Sequence, residues 1–367
     1  MSRGGDALNS RPSTLNWVRL MWRDVLPAWT RADAPASDIV LSTRARLARN
    51  ISGMPFPGCA AAEDLENVAE LARRACERLS THWPDLRAVD VAQLAEEDRA
   101  FLVDAHLVSP QQVRPRRGGL VFLEPGGRIA IMVNEEDHLR IQAILPGLQP
   151  LEAWRLVDQI DDELARMLRF AYSKRLGYLT ASLSNLGTGL RISAMMHLIG
   201  LAMAGRLAKT LRAAVELGIG VRGLFGEGSQ GLGDFYQVSN EITLGAPERE
   251  LAERVRAVAE HLLSEERKAR DDILSDERTR LISAVRKSLE RLRSAETVSA
   301  QEALALLSPI RLAGPAGVVS GCSAKELNEL MVAMRVMRLG EPGERSGVMA
   351  DRRRAVLVRR RLRGVQI

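Results

Sequence analysis

Two arginines one residue apart mark the first segment of the chain that could do chemistry. Residues 42–50 read STRARLARN, and a strand begun at Ile39 would carry Arg44 and Arg46 on one face, because successive side chains alternate between faces. Neighbouring guanidiniums repel each other unless an anion lies between them, and a phosphate chain suits their planar forks of donors. A solvated basic strand at a sheet edge would show the same pattern, so this segment alone leaves both interpretations open.

Three successive carboxylates form the second such segment. Residues 134–140 read NEEDHLR and follow an apolar strand, at the point where the chain would leave a sheet. Carboxylates in such a place are costly to keep charged unless cations or a metal ion face them. An acidic surface turn would explain the same residues, and one histidine without a second cluster makes a metal site a weak hypothesis.

Glycines mark two further segments, NLGTGLR at residues 185–191 and RGLFGEGS at residues 222–229. The glycines could let the backbone approach a phosphate, although a pattern of two glycines is a weak signal by itself. The chain lacks the GxxxxGK[ST] pattern of P-loop proteins and the HRD and VAIK signatures of eukaryotic-type protein kinases. Those two classes of phosphoryl-transfer protein are therefore excluded.

The elements that would position these segments are a mixture of strands and helices. Residues 119–124 and 128–133 are rich in β-formers, and Pro125-Gly126-Gly127 between them is a hairpin signal. A further strand is expected over residues 221–225. Apolar spacing typical of helices occurs over residues 61–80, 151–172 and 193–217. Because strands and helices do not alternate strictly, the sequence predicts an α+β sheet domain.

Composition predicts a soluble protein of the reducing cytoplasm. The chain has 367 residues, a formal net charge of +6 and three cysteines without a CxxC pair, which argues against a disulfide framework. No apolar run reaches the length of about 18 residues that a transmembrane helix needs, and the first residues lack the apolar core of a signal peptide. The mild basic excess is compatible with ATP or with nucleic acid and does not separate them.

A change in composition near residue 247 predicts the domain organisation. Residues 248–293 are charge-rich and helical in pattern, and no convincing strand follows them. We expect an irregular N-terminal lead-in over residues 1–37, a catalytic sheet domain over 38–260 and a smaller helical domain over 261–367.

Taken together, the four segments resemble those of the ATP:guanido phosphotransferases, also called the phosphagen kinase superfamily. Within it the chain is most similar to the bacterial McsB-type protein arginine kinases, from about Asp38 to Gly245 and more weakly to the C-terminus. The resemblance implies a mainly antiparallel sheet flanked by helices, with an all-helical C-terminal domain. It also implies phosphorylation of arginine side chains in proteins by ATP, with Mg²⁺ held by the nucleotide and water rather than by a protein metal site.

The resemblance also implies roles for residues at matching positions. Glu136 and Glu227 would hold the acceptor guanidinium, with Arg191 and Arg222 as further catalytic residues, and His106 would lie near the adenine or ribose. The full nucleotide-binding set that it implies is Ser42, Thr43, Arg44, Arg46, His106, Arg140, Arg191, Ile192, Ser193, Ala194, Met195, Arg222 and Glu227.

The chain departs from the family pattern at two positions. The family usually has cysteine three residues before the asparagine of NLGTGLR, where this chain has Ser182. We expect retained but altered activity that is insensitive to thiol reagents. The family's RDxxRA motif, part of a regulatory phosphoarginine pocket, reads ADRRRA here, which leaves Asp351 and Arg354 as regulatory candidates without the first arginine.

The resemblance implies partners too: protein substrates bearing arginine, an activator protein, Clp-type protease machinery in protein quality control and stress response, and a second copy in a homodimer. Only 41 residues precede Ser42, where small-molecule phosphagen kinases carry a helical domain, so we expect an acceptor site open to polypeptides. The alternatives are a small-molecule guanidino kinase and a catalytically weak regulatory pseudo-kinase. Nucleic-acid binding by the arginine-rich residues 345–363 is disfavoured, because no aromatic residues interleave them.

Overall fold

An eight-stranded antiparallel sheet with helices packed on it forms the centre of the protein, and a helical region follows. The computed structural model describes residues 27–114, 117–223, 231–336 and 347–367. The α+β fold expected from the sequence is therefore confirmed. Within these ranges, every helix is too short or too polar to span a lipid bilayer.

The strands are β1 (Val40–Arg49), β2 (Arg87–Asp90), β3 (Leu120–Leu123), β4 (Ile129–Val133), β5 (Leu139–Pro146), β6 (Tyr172–Ser173), β7 (Gly177–Tyr178), β8 (Leu190–His197), β9 (Ile219–Gly223) and β10 (Phe235–Asn240). The helices are α1 (Ala62–Leu79), α2 (Glu96–Asp104), α3 (Pro150–Ala165), α4 (Ile199–Met203), α5 (Leu207–Glu216), α6 (Glu248–Asp276), α7 (Arg278–Ser294), α8 (Ala300–Ala313), α9 (Ala324–Val336) and α10 (Gly347–Arg361).

The sheet brings the strands that carry the motifs together. Its order is β2-β3-β4-β5-β1-β8-β10-β9, and β6 and β7 form a separate pair. Because β1 lies between β5 and β8, the STRARLAR stretch is in the middle of the sheet. The alternative of a solvated edge strand for this segment is therefore wrong.

The two faces of the sheet differ in chemistry. On β1 and β8, Ala45, Leu47 and Ile192 lie in an apolar core that α1, α3 and α6 complete. Their sequence neighbours Arg44 and Arg46 point to the opposite face, as alternation along a strand requires. One face thus holds the helical core, while the other carries cations.

The C-terminal helices cover one end of the cation-bearing face. Ile144 of β5 and Phe235 of β10 belong to a second apolar core, which α7, α8, α9 and α10 complete. Trp29, in a short 3-10 turn at Ala28–Thr30, lies in the same core, so this part of the expected lead-in is packed into the protein. Residues 1–26 of that lead-in lie outside the described ranges.

The helix expected over residues 193–217 is wrong in its first part. Residues up to His197 belong to β8, and only α4 and α5 after it are helical. Since β8 lies between β1 and β10, most of its side chains are apolar, and its apolar end leads almost directly into the apolar helix α4. A continuous apolar run does not distinguish a buried strand from a helix.

The helix expected over residues 151–172 ends earlier, at Ala165. The chain beyond it bonds to the segment after β1 instead: the Ser52 amide donates to the Arg169 carbonyl (2.8 Å), and the Ala171 amide donates to the Asn50 carbonyl (2.7 Å). The helix over residues 61–80 and the hairpin of β3 and β4 are confirmed.

Candidate active site

Five arginines from four strands line one cavity of about 310 Å³. They are Arg44 and Arg46 on β1, Arg140 on β5, Arg191 on β8 and Arg222 on β9. Arg46 lies directly opposite Arg191 in the pairing of β1 with β8. Like charges directly opposite each other destabilise a sheet, so this arrangement favours an anion in the cavity. We call it the arginine cavity.

The electrostatics of the arginine cavity point the same way. Burial, followed by the charges of Arg140 and Arg191, lowers the pKa of Arg44 to about 10. The pKa of Arg46 falls well below its ordinary value, first through burial and then through the neighbouring arginines. The Nε of Arg44 is buried without a hydrogen-bond partner among the described residues. A bound polyanion would supply that partner and favour the charged guanidiniums.

A second cavity, of about 340 Å³, is mostly apolar, and Trp29 and Phe235 lie in its wall. Arg44, Arg222 and Gln237 line both cavities, so the two spaces meet at these residues. A ligand with a flat apolar head and a polyanionic tail fits such a pair, and a nucleoside triphosphate has this form. We call this space the apolar cavity.

His106 lies in the wall of the apolar cavity. Its φ of 61° is uncommon for a residue other than glycine, and its carbonyl accepts a hydrogen bond from Gln142 Nε2 (2.9 Å). The His106 ring centroid lies 5.8 Å from that of Trp29, whose Nε1 donates to the Ala105 carbonyl (3.1 Å). These contacts hold the loop after α2 against the cavity, where the resemblance expects the adenine or ribose.

The acidic stretch forms a tight turn between β4 and β5. Glu135 pairs with Arg140, with 2.7 Å between Oε1 and Nη1, and it also accepts a bond from the Ser109 hydroxyl. Burial favours a higher pKa for Glu135, but the bonds to Arg140 and Ser109 outweigh it and hold the pKa below its ordinary value. Burial, followed by the charges of Asp137 and Glu135, raises the pKa of Glu136. Of these carboxylates, Glu136 is the one that lines the arginine cavity.

Asp137 and His138 fasten the turn to the loops around it. Asp137 Oδ1 accepts a bond from the Ala181 amide (2.7 Å). His138 Nδ1 accepts from the Ile51 amide (2.9 Å), so its Nε2 carries the proton and donates to the Pro55 carbonyl (2.8 Å). Neither side chain lines the two cavities, and both therefore position the turn that carries Glu136.

The loop before β8 closes part of the arginine cavity. Ser184 and Asn185 lie in its wall, and Ser182 Oγ is 2.8 Å from Ser184 Oγ. Gly189 has a φ of 68°, and a Cβ there would lie 2.6 Å from the Ala48 carbonyl oxygen. Only glycine therefore lets this loop pack onto β1 while its backbone still lines the cavity.

The sequence-based site residues divide into groups in the structure. Those around the two cavities are Ser42, Arg44, Arg46, His106, Glu136, Arg140, Arg191, Ser193, Met195 and Arg222. Ile192 and Ala194 lie in the apolar core on the other face, and Thr43 Oγ1 donates to the Gly147 carbonyl (2.6 Å). These three are strand neighbours of cavity residues, and alternation turns their side chains away. Glu227 lies outside the described residues.

Sequence reasoning missed several residues of the cavity walls. Gln237 on β10 lines both cavities and lies directly opposite Arg222 in the pairing of β10 with β9. Gln237 could have been recognised as a polar residue on the cation-bearing face, but only if the register of β10 had been known. Leu304, Met331 and Val332 come from the C-terminal helices and belong to no motif.

The two regulatory candidates pair with each other on α10. Arg354 is 1% exposed, and its Nη1 donates to Asp351 Oδ1 and to the Val298 carbonyl (2.9 Å). Its Nε donates to the Met334 carbonyl (3.0 Å), which joins α10 to α9. Arg354 is thus part of the helical core, and its regulatory role stays a prediction.

Two family models match the chain. The ATP:guanido phosphotransferase C-terminal catalytic domain covers residues 67–269, and the protein-arginine kinase McsB C-terminal domain covers residues 278–366. A relative from Pelotomaculum thermopropionicum named protein-arginine kinase is 42% identical over 309 residues, which is 84% of this chain and 87% of the relative. A protein-arginine kinase from Symbiobacterium thermophilum is 39% identical over 353 residues, 95% of this chain and 99% of the relative.

The fold is also similar to solved structures of guanidino kinases. One is the duplicated taurocyamine kinase from Schistosoma mansoni with bound transition state analog components, with a TM-score of 0.58 and 25% identity over 69% of this chain. This chain spans 37% of that duplicated protein. Lombricine kinase has a TM-score of 0.56 and 22% identity, covering 68% of this chain and 75% of that one.

These matches define first a class of enzyme, the phosphotransferases that use ATP and a guanidino acceptor. The chain belongs to the ATP:guanido phosphotransferase family, and within it to the protein-arginine kinases.

Proposed function

We propose that the chain transfers the terminal phosphoryl group of ATP to the guanidinium of arginine side chains in proteins. One observation carries this proposal: Glu136 and the five arginines line a single cavity, which meets the apolar cavity at Arg44 and Arg222. The adenine base suits the apolar cavity, and the triphosphate suits the arginines. A carboxylate beside the terminal phosphate suits a cationic acceptor.

The arginines would act on charge and alignment. Phosphoryl transfer needs in-line positioning and charge stabilisation more than covalent help from the enzyme. Strands of the sheet centre hold Arg44, Arg46 and Arg191, so little reorganisation is needed as charge develops on the phosphate.

The acceptor presents the harder chemical problem. A guanidinium has a pKa above about 12 and is a poor nucleophile while protonated. We propose that Glu136 aligns it by hydrogen bonds and takes its proton as the N–P bond forms. The bond from the γ-phosphorus to the bridging oxygen breaks in the same step, and its electron pair leaves on ADP. Glu227 would be the second aligning carboxylate, as the resemblance implies.

Mg²⁺ would supply further neutralisation of the phosphate charge. Among the described residues, no three His, Cys, Asp or Glu side chains form a group that could hold a metal ion. As the resemblance implies, the nucleotide and water would hold the ion, and the chain's own contribution to charge neutralisation would be its arginines.

The choice of arginine in proteins rests on the relatives named protein-arginine kinase and on the match to their C-terminal domain. On the resemblance we extend the proposal to a cytoplasmic homodimer acting in protein quality control and stress response. An activator protein and Clp-type protease machinery would be its partners. We also propose a catalytic domain to residue 260 and a C-terminal domain from residue 261, with the continuous helix α6 running through both.

A direct test offers γ-labelled ATP to the enzyme with three acceptors. They are free arginine, an unstructured protein that contains arginines, and the same protein with each arginine replaced by lysine. We expect an acid-labile label on the arginine-containing protein alone. Preferential labelling of free arginine would favour a small-molecule guanidino kinase, and no transfer at all would favour a regulatory pseudo-kinase. Either result contradicts the proposal.

A further inference from the structure

One wall of the apolar cavity comes from outside the catalytic sheet. Leu304 on α8 and Met331 and Val332 on α9 line the cavity together with Phe235 of β10. The three helical residues lie in the region that matches the C-terminal domain of protein-arginine kinases, beyond the match to the catalytic domain. All three are less than 8% exposed, so they reach the cavity from a packed core.

The helix α8 is fixed closely against the sheet. A Cβ on Gly233, just before β10, would lie 2.8 Å from the Leu304 carbonyl oxygen, and the glycine has a φ of 63°. One turn later, Ser308 Oγ donates to Asp234 Oδ2 (2.8 Å) and accepts from His197 Nε2 (2.8 Å). Leu304 therefore keeps a fixed position beside the strand that carries Phe235.

The helix α9 is fixed by a separate set of bonds. Asn328 Nδ2 donates to the Thr30 carbonyl (3.2 Å), and its Oδ1 accepts from Arg311 Nε (3.1 Å). Arg311 Nη2 donates in turn to the Ser37 carbonyl (3.0 Å). Met331, three residues after Asn328, is thus anchored to the same stretch of chain that leads into β1.

We infer that the C-terminal helices form the base-binding wall of the nucleotide site, with Leu304, Met331 and Val332 in contact with the bound nucleobase. The inference rests on the proposed function, because it takes ATP as the ligand. The base is the apolar part of ATP, and it gains most by leaving water for an apolar wall, whereas the phosphates belong with the arginines.

A consequence is that nucleotide binding and the packing of the C-terminal helices are coupled. A ligand that contacts both the sheet and α9 stabilises their association. By linkage, any change that loosens the packing of α9 lowers the affinity for the ligand. The C-terminal region would then contribute to the catalytic site itself.

The substitution Met331→Ala tests the inference, and Leu330→Ala is its matched control. Leu330 is the neighbouring residue on α9, is 2% exposed and does not line the cavity. The measurements are the Kd values of ATP and of inorganic triphosphate, which has no base. We expect Met331→Ala to raise the Kd of ATP about tenfold, as the loss of an apolar contact in a pocket does. Triphosphate affinity should stay unchanged, and KM for ATP should rise without a change in kcat.

Three results would overturn the inference: no loss of ATP affinity, the same loss in Leu330→Ala, or a parallel loss of triphosphate. Val332→Ala removes less volume and serves as the second variant if Met331→Ala does not fold. Hydrogen exchange of the wild-type protein gives an independent measure. ATP, but not triphosphate, should slow exchange in α8 and α9, and equal protection by both would contradict the inference. A wild-type protein that binds triphosphate but transfers no phosphoryl group would instead contradict the proposed function alone.

Discussion

Two regions of this protein bury arginines in opposite ways. Where the sheet meets the C-terminal helices, Arg311 is 1% exposed, and its nitrogens donate to Asn328 Oδ1 and to carbonyl oxygens before β1. In the arginine cavity, Arg44 Nε has no hydrogen-bond partner among the described residues, and Arg46 lies opposite Arg191. The first cluster is satisfied within the chain. In the second, the buried Nε of Arg44 has no acceptor among the described residues, which favours an anion from outside, since buried polar groups are normally paired.

The comparison also shows what a lowered pKa does not reveal. Burial lowers the pKa of Arg311 to about 9 and that of Arg44 to about 10, and neighbouring arginines contribute in both places. The direction of the shift is therefore the same in a structural cluster and in a candidate site. What separates them is the geometry, namely whether the donors already have acceptors and whether they face a cavity.

The largest expected effect is a loss of activity on substitution of Arg44 in the arginine cavity. Arg44→Ala should lower kcat/KM by about a thousandfold, because it removes a fixed cation from the charge that develops on the phosphate. The free energy of unfolding should not fall, since the substitution relieves repulsion among buried cations. Steady-state kinetics and urea unfolding measure the two quantities, with the exposed Arg166→Ala as control. A large loss of stability with intact activity would reverse the roles assigned to the two regions.

Around Arg311, where the sheet meets the C-terminal helices, we expect a large loss of stability and a small loss of activity. Arg311→Met should lower the free energy of unfolding by about 3 kcal/mol, because it leaves Asn328 and the carbonyls before β1 without donors in the interior. Activity of the folded enzyme should fall far less than in Arg44→Ala. If Arg311→Met and the wild-type protein have the same midpoint of urea unfolding, the hydrogen bonds of Arg311 do not stabilise the fold as described above.

A smaller loss is expected for the carboxylate of the arginine cavity. Glu136→Gln should lower kcat about a hundredfold, the usual value of a positioned proton acceptor, and leave the Kd of ATP unchanged. The exposed pair of Glu152 with Arg155 provides a control in Glu152→Gln. Weakened ATP binding as the main effect would place Glu136 with the nucleotide instead of the acceptor.

The pH dependence of kcat should follow from the protonation of Glu136. Burial and the neighbouring carboxylates raise the pKa of Glu136, and the proposed step needs its deprotonated form. The kcat of the wild-type enzyme should therefore fall as the pH is lowered, beginning at a higher pH than for an ordinary glutamate. Glu136→Gln should lack this acid limb, and a retained limb would assign it to another group.

The cation-bearing face shows how far the sequence could lead. Arg44 and Arg46 share a face because alternation along a strand is a local rule, and the sequence supports a strand at that point. The same rule places the side chains of Thr43, Ile192 and Ala194 on the other face, and their membership of the nucleotide-binding set stays a prediction. The strand β8 was missed because its second half is apolar and leads almost directly into the apolar helix α4, so the two together resemble one helix.

The apolar cavity shows what local patterns do not contain. Gln237 reaches both cavities through strand register, and Leu304 and Met331 reach the apolar cavity through the docking of helices far along the chain. None of these positions has a motif, because its role depends on tertiary packing. The arginine cavity was predictable since motifs carry it on single strands, whereas the apolar wall required the assembled fold.

The smallest expected effect concerns thiol chemistry. Of the three cysteines, Cys59 is exposed, Cys322 is partly exposed and Cys76 is buried, and none lines either cavity. Iodoacetamide should therefore modify Cys59 and leave kcat unchanged, since the arginine cavity works with cations and a carboxylate. An alkylating agent that abolished turnover while ATP binding persisted would contradict this expectation.

The substitution Ser182→Cys tests whether a thiol beside the arginine cavity makes the activity sensitive to alkylation. Ser182 Oγ lies 2.8 Å from Ser184 Oγ, and Ser184 lines the arginine cavity, so a modified side chain at position 182 would reach the cavity wall. We expect this variant to lose activity on alkylation, whereas Ser80→Cys, on an exposed helix end, should not. Because alkylation at position 182 would block the acceptor side and leave the apolar cavity open, the modified variant should still bind ATP. Loss of ATP binding instead would mean that the loop before β8 serves the nucleotide rather than the acceptor.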